Sequence, residues 1–416
     1  MKSWIDTPLP EGWKLSKNCE YCTILSGFPF SSTGFNTDGI GTPIVRIRDI
    51  TSGHTETFYK GDFPISSLIE NGDLLVGMDG DFNHCIWKSG RAILNQRCCK
   101  ILCKNEWYKK YISYVLPFQL KLINELKNST TVKHLNNTDI LTASLPIPTD
   151  INILKRTVCF LDRNCNAVDR LVANMREKLL KLSEYRQSLI TQAVTKGLDP
   201  KAEMKDSGVE WIGKIPAHWN IAAIKHCGQY TNGLTYSPQD LVADGTPVLR
   251  STNVQNGQLD INDLVFVRSE VAVDSMLKAG DVLICSRNGS AKLIGKCAYI
   301  SEEDKFAFGA FMMVFRSKLK KFGFYILNSA LFSYYKPQFG TSTINQLTGK
   351  SFGEMLIPIP PDSEMTEIAI HLDNKIAQIL KTENSIKNAI ELLLKYRTSL
   401  ISAAVTGKID ISEVNQ

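Results

Sequence analysis

The feature that most limits what this chain can fold into is that it is written twice. The segment YRQSLITQAVTKGLD (185–199) returns as YRTSLISAAVTGKID (396–410), 211 positions later and identical at nine of fifteen places. Upstream, TVKHL (131–135) and LPIP (145–148) are echoed by TINQL (343–347) and IPIP (357–360). GTPIVRIRDI (41–50) is echoed by GTPVLRSTNV (245–254), and LPEGW (9–13) by IPAHW (215–219). Blocks that keep their order while their offset drifts only from 204 to 212 mean two copies of one unit of roughly 200 residues.

Each copy divides in two. Its first part is rich in Gly, Pro, aromatic and β-branched residues, with short apolar runs such as DLLVGM (73–78) and DVLICS (281–286) that predict strands between turns. A Pro-bounded segment then leads into apolar residues stepping by three and four. They run from Leu154 through Val158, Leu161, Cys165, Val168, Val172, Met175, Leu179 and Leu182 to Leu189. The second copy repeats this from Met365 through Ala369, Leu372, Ile376, Ile379, Ile386, Ile390 and Leu393 to Leu400. Such a seam predicts coiled-coil pairing. Polar residues interrupt it at Arg186, Arg397 and Glu383, where they fix register or face a partner at some cost in stability; Glu383 is expected to loosen the seam locally. The competing reading is that each helix packs only on its own globular part.

A helix of about 40 residues is roughly 60 Å long. The connection 197–210 spans at most about 50 Å fully extended, too little to return the chain to the start of the first helix. The second helix is therefore expected to run back along the first. The expected fold is mixed α and β: two α+β recognition domains joined by a long antiparallel two-helix coiled coil, with pseudo-two-fold internal symmetry. The expected divisions are 1–149 (first recognition domain), 150–196 (first spacer helix), 197–210 (linker), 211–361 (second recognition domain), 362–406 (second spacer helix) and 407–416 (tail).

Bulk properties fit a DNA partner without demanding one. The net charge is +6, and 43% hydrophobic with 22% charged residues describes a folded chain. No secretory leader and no membrane-spanning apolar run is expected. Eleven cysteines without a disulfide framework point to a reducing, cytoplasmic setting. Cys19 and Cys22 have C-x-x-C spacing, and Cys98, Cys99 and Cys103 could complete a zinc site. The second copy carries Lys225 and Gly228 at the matching place, so the cysteines are read as buried free thiols and no metal is expected.

Catalytic patterns fail one after another. LTGKS (347–351) lacks the first glycine of a phosphate-binding loop, Ile344 standing there, so Lys350 is read as a DNA contact. Gly39 and Gly41 lack the third glycine of a dinucleotide fingerprint, and neither an amino-methyltransferase tetrapeptide nor a nuclease carboxylate–lysine motif occurs. The chain is expected not to be an enzyme and to hold no cofactor.

The binding signals lie in the first part of each copy. Arg46, Arg48 and Asp49 follow the first GTP; Arg250, Ser251, Thr252 and Asn253 follow the second. Guanidinium and amide forks suit base edges, whereas hydroxyls and lysine suit phosphates. The loops GMDGDFN (77–83) and SRNGSAK (286–292) follow equivalent predicted strands, yet differ. They offer Asp79, Asp81 and Asn83 in one copy and Arg287, Asn288, Ser290 and Lys292 in the other. Gln96 and Lys133 complete the candidates. Trp13 and Trp219, at matching positions, are assigned to the cores.

The YRxSLIxxAVT helix ends, the linker SGVEWIGKIPAHW (207–219), MDGDF, LNQR (94–97) and SRNGS with its following IGK (294–296) together resemble a specificity (S) subunit of a type I restriction–modification system, over the whole chain. The resemblance implies double-stranded DNA, two modification (methyltransferase) subunits and, where they exist, restriction subunits as partners. S-adenosylmethionine, ATP and magnesium would be used by those partners. Tyr185, Arg186, Leu189 and Val194, with Tyr396, Arg397, Leu400 and Val405, fall in the helix ends it implies to contact the methyltransferase. Each domain would read one half of an asymmetric bipartite site while the helices set the gap. The alternative is a two-headed coiled-coil scaffold that binds protein partners.

Overall fold

The computed structural model describes residues 5, 8–127, 133–255, 257–290, 293–301, 305–335, 346–409 and 411. It divides into two compact units, one made of 1–174 with 388–416, the other of 175–387. Of the echoed segments, Thr131, Val132, 343–345 and Asp410 lie outside the described residues.

Both units are built on the same four-stranded antiparallel sheet. In the first unit its order is Cys22–Ser26, Cys98–Cys103, Leu74–Gly77, His84–Ile86. In the second it is Gly228–Asn232, Met312–Ser317, Val282–Cys285, Cys297–Tyr299. The inner strands Leu74–Gly77 and Val282–Cys285 are the two predicted from apolar runs. Both are buried along their whole length, which is why they read as continuous rather than alternating hydrophobics. A second small sheet in each unit contains one parallel pair, Ile44 beside Ile93 and Val248 beside Ala307. A two-stranded ribbon, Trp13–Lys17 with Ser144–Pro148 and Asn220–Ala223 with Leu356–Ile359, closes each globular part just before its long helix.

Two long helices run Ile151–Lys196 and Asp362–Val405. Each packs its first turns on its own copy. Asp162 accepts from Lys110 Nζ at 2.6 Å and Tyr114 Oη at 2.7 Å; Asp373, 211 positions on, receives Lys321 Nζ at 2.9 Å and Tyr325 Oη. The far ends pack on the other copy. In the first unit, Ile401, Ala404 and Val405 join the core that holds Leu154, Val158 and Leu161. The hydroxyl of Tyr111 lies 2.8 Å from the Pro146 carbonyl and 3.1 Å from that of Val405, while Arg397 pairs with Asp169. In the second unit, Ile190 and Val194 join Met365, Ile368 and Leu372. There Gly197 abuts Trp219, whose indole N–H donates to Glu364, while Arg186 faces Glu383. In each unit one helix therefore ends where the other begins, and the two run antiparallel. The reading in which each helix packs only on its own globular part does not hold: each helix begins on its own copy and ends on the other.

Burial along the seam follows the heptad stepping. Leu154, Val158, Leu161, Cys165, Val168 and Val172 are buried, and at about 1.5–3 kcal/mol per fully buried aliphatic side chain this row is a large part of what fixes the helix. Trp219 is wholly buried and Trp13 half-buried against its core, as their matching positions led us to expect. Glu383 sits in the seam with one carboxylate oxygen buried and without a hydrogen-bond partner. It is buried and paired 3.7 Å from Arg186.

Candidate nucleic-acid interface

The first candidate segment sits at a strand-to-helix junction rather than on a strand. Thr42–Val45 is a strand, and a helix begins at Ile47. Asp49 is buried; its carboxylate accepts the Arg46 backbone N–H at 2.9 Å and so closes the first turn. In the second unit Asn253, also buried, accepts the Arg250 N–H at 2.9 Å, and its amide donates to the Asp260 and Asp263 carbonyls. Capping explains why an Asp in one copy is replaced by an Asn in the other, since both accept from a backbone N–H. Both side chains are buried and hydrogen-bonded to backbone groups inside the fold. Burial also acts on Asp49 itself, raising its carboxyl pKa against the pull of Thr55, Arg48 and His54.

The arginines around them divide. Arg46 donates to the Thr57 hydroxyl and faces Asp49; Arg250 reaches Asp263 at 2.9 Å. Arg48 is 71% exposed and lies 3.8 Å from Asp49. Ser251 is half-buried and Thr252 exposed.

The two loops that differ between copies hang from a common backbone frame. In the first unit Met78 N donates to the Arg97 carbonyl at 2.9 Å, and Leu135 N donates to the Met78 carbonyl at 2.7 Å. Gly77 N closes the loop on the Asn83 carbonyl at 2.8 Å. Phe82 holds a positive φ of 51° with its ring wholly inside the core, so burial of the ring offsets a backbone conformation that costs about 1 kcal/mol or more. That anchor leaves Asp81 exposed, with Asn83 and Lys133 half-buried, on one groove with Lys121 and Asn124. Asp79 is held by His134 Nδ1 at 2.6 Å and by Arg97 at 3.5 Å.

In the second unit Ser286 N donates to the Phe311 carbonyl at 2.9 Å and Leu347 N to the Ser286 carbonyl at 2.7 Å. Arg287 lies over the Phe311 ring at 5.2 Å. Asn288 donates to Ser251 at 3.1 Å, which joins the loop to the segment after the second GTP. Ser290 is exposed, and Lys292 lies outside the described residues. Lys350 is exposed on a short helix, Gly349–Gly353, capped by Thr348. Gln96 is exposed on the turn before Cys98–Cys103. Its neighbour Arg97 and the matching Phe311 were missed by sequence reasoning. The LNQR and FGAF turns share little beyond their place ahead of a strand.

The helix-end candidates also divide. Tyr185 and Tyr396 are exposed, at 56% and 54%. Arg186 and Arg397 are committed to Glu383 and Asp169, Leu189 is half-buried and Leu400 buried. Val194 and Val405 are wholly buried in the cores on which the helices end.

The cysteines do not gather. Cys98 and Cys99 are buried, with burial pushing the Cys99 thiol up to about 12, and Cys22 is buried opposite Cys103 in register. Cys19 is exposed, against the expectation of a buried thiol. Among the described residues no three or more His, Cys, Asp or Glu side chains are grouped to hold a metal. Among the described residues no helix is long and apolar enough to cross a membrane.

Residues 10–180 and 216–392 match the family described as Type I restriction modification DNA specificity domain. The chain is similar to the Type I restriction enzyme EcoBI specificity subunit of Escherichia coli, 28% identical over 96% of this chain and 86% of that protein. It is 31% identical to the EcoKI specificity subunit of Escherichia coli strain K12 over 47% of this chain and 44% of that one. Its fold matches a chain solved in work on complex assembly and conformational transition of the type I R-M system, with a TM-score of 0.70 at 16% identity, over 97% of this chain and all of that one. A repeated α+β reader with paired helices defines a class of two-headed recognition proteins. The chain belongs to the type I restriction–modification specificity family.

Proposed function

We propose that this chain is the non-catalytic reader that directs a methyltransferase to an asymmetric, bipartite DNA site, one half read by each unit. One observation carries the reading: matching backbone hydrogen bonds and bridges present different side chains at corresponding positions, Asp79 and Arg97 in one unit, Arg287 and Phe311 in the other. Readers with different surfaces on one frame bind different half-sequences. Arg48, Asp81, Asn83, Gln96 and Lys133 contribute to the first half; Thr252, Arg287, Asn288, Ser290, Lys292 and Lys350 to the second, with Arg46, Arg250, Ser251 and Asp79 positioning them.

The helices set the gap. The exposed Tyr185 and Tyr396, beside Arg186 and Arg397, offer two related surfaces to two modification subunits, and restriction subunits join where they exist. S-adenosylmethionine, ATP and magnesium serve those partners, and the work is cytoplasmic.

Co-expression with the modification subunit and genome-wide mapping of methylated adenines tests the proposal. A split motif, two unlike halves around an unspecified gap and seen only when this chain is present, is expected. Co-purification without any sequence preference would overturn it in favour of a protein scaffold. DNA binding by the complex should also weaken steeply with salt, as release of counterions from phosphates requires.

A further inference from the structure

The backbone frame makes an alignment of the two readers that sequence similarity alone does not. Arg97 and Phe311 each give their carbonyl to the residue that opens the recognition loop, Met78 in one unit and Ser286 in the other. Those residues in turn accept from Leu135 and Leu347. Isolated β-bridges join the next residues in the same way, Asp79 with His134 and Arg287 with Gln346. Three positions therefore correspond: Asp79 with Arg287, Arg97 with Phe311, and His134 with Gln346.

At these positions the frame is constant and the chemistry is reversed. In the first unit the arginine stands on the turn before the strand, 56% exposed, and the loop carboxylate of Asp79 lies 3.5 Å from it. His134 holds that carboxylate from the other side. In the second unit the arginine stands on the loop, and the turn supplies a 56% exposed phenyl ring beneath it. Each reader thus offers a supported arginine at this place, from the turn in the first unit and from the loop in the second. A guanidinium fixed in orientation by a carboxylate or a ring has less freedom to lose when it forms two parallel hydrogen bonds to a guanine edge.

We propose that these two matching trios, Asp79, Arg97 and His134 in one unit and Arg287, Phe311 and Gln346 in the other, are specificity-determining sites, with Arg97 and Arg287 each reading a guanine, one in either half-site. Asp79 and His134 are positioning residues for Arg97. Phe311 supports Arg287, and its exposed edge suits the methyl group of a neighbouring thymine. The proposal rests on the DNA-reading function above and adds which side chains discriminate.

The test is motif mapping and competition binding with the complex of full-length chain and modification subunit. Arg97→Lys keeps the charge and removes the fork. It should keep the second half-motif and the gap but lose about tenfold or more of the discrimination at one guanine of the first half. Phe311→Ala should relax only the second half. Asp79→Asn should weaken the same first-half position as Arg97→Lys, and the pair combined should do little more than either alone. An unchanged motif and unchanged competition in Arg97→Lys and Phe311→Ala, with wild type still giving a split motif, would overturn these sites while leaving the reader intact. Relaxation of both halves by either variant would also overturn it, because the effect would then be general. Wild type without any split motif would overturn the reader and these sites together.

Discussion

Arg186 lies 3.7 Å from Glu383, a carboxylate that is buried in the helix pair of the second unit. Its repeat counterpart Arg397 pairs instead with Asp169, half exposed, at 2.9 Å. The arginines are equivalent and 211 positions apart, but the acids are not: the place matching Asp169 is Leu380, and Glu383 lies one turn beyond it.

The two pairs should therefore respond differently to truncation. Arg186→Ala strands a buried carboxylate and should cost about 1–3 kcal/mol in chemical denaturation. Arg397→Ala leaves Asp169 in contact with water and should cost under about 1 kcal/mol. Arg186→Met combined with Glu383→Leu should recover most of the loss, since an apolar pair needs no desolvation. Equal costs for the two single arginine variants would contradict the assignment.

The helix ends give a second contrast. Both Gly197 and Gly407 adopt positive φ, 72° and 71°. A Cβ on Gly407 would lie 2.6 Å from Pro10 and 2.8 Å from Trp13, whereas one on Gly197 would clear Trp219 by 3.3 Å. Gly197→Ala should cost about 1 kcal/mol, chiefly backbone strain with a tight contact to the Trp219 ring, and Gly407→Ala about 2–3 kcal/mol because strain and outright overlap add. Thermal melts of the two variants decide it.

His84 carries a pH signature. Burial lowers its pKa and nearby Arg397 adds to this, against a hydrogen bond to the Ser113 backbone. The unfolded chain, with an ordinary value of about 6.5, then binds a proton that the folded chain refuses. Stability present above that value should fall as pH drops through it toward the lower folded pKa. The His84→Gln variant should show a flatter decline between pH 7 and 5 in equilibrium unfolding.

Exposure separates docking from folding at the repeated helix ends. Tyr185→Ala and Tyr396→Ala should leave stability within about 0.5 kcal/mol of wild type and reduce co-purification of the modification subunit. Val405→Ala should cost about 2 kcal/mol with docking retained. Intact co-purification in the double tyrosine variant would remove the tyrosines from that surface.

Much of this fold was legible because repetition and heptad spacing are long-range patterns. Leucine and valine stepping by three and four can satisfy few structures other than a buried helix seam. The same patterns say less about single residues. Val194 and Val405 recur because both helix ends plug a core, which repeats as faithfully as an interface would. Asp49 and Asn253 have the chemistry of base-edge ligands, and only their burial identifies them as caps. Arg97 and Phe311 escaped altogether, since backbone hydrogen bonds, rather than similar side chains, make them equivalent.

The Tyr111 hydroxyl that bridges the carbonyls of Pro146 and Val405 has a consequence for how the protein is born. The first unit draws part of its core from Ile401, Ala404 and Val405, which leave the ribosome nearly three hundred residues after Tyr111. The second unit, 175–387, has all its segments before them. Domains ordinarily mature in the order of synthesis. Here the half translated first must wait, its apolar slot open, while the half translated second is completed, so the nascent chain carries an unfinished reader for most of its synthesis.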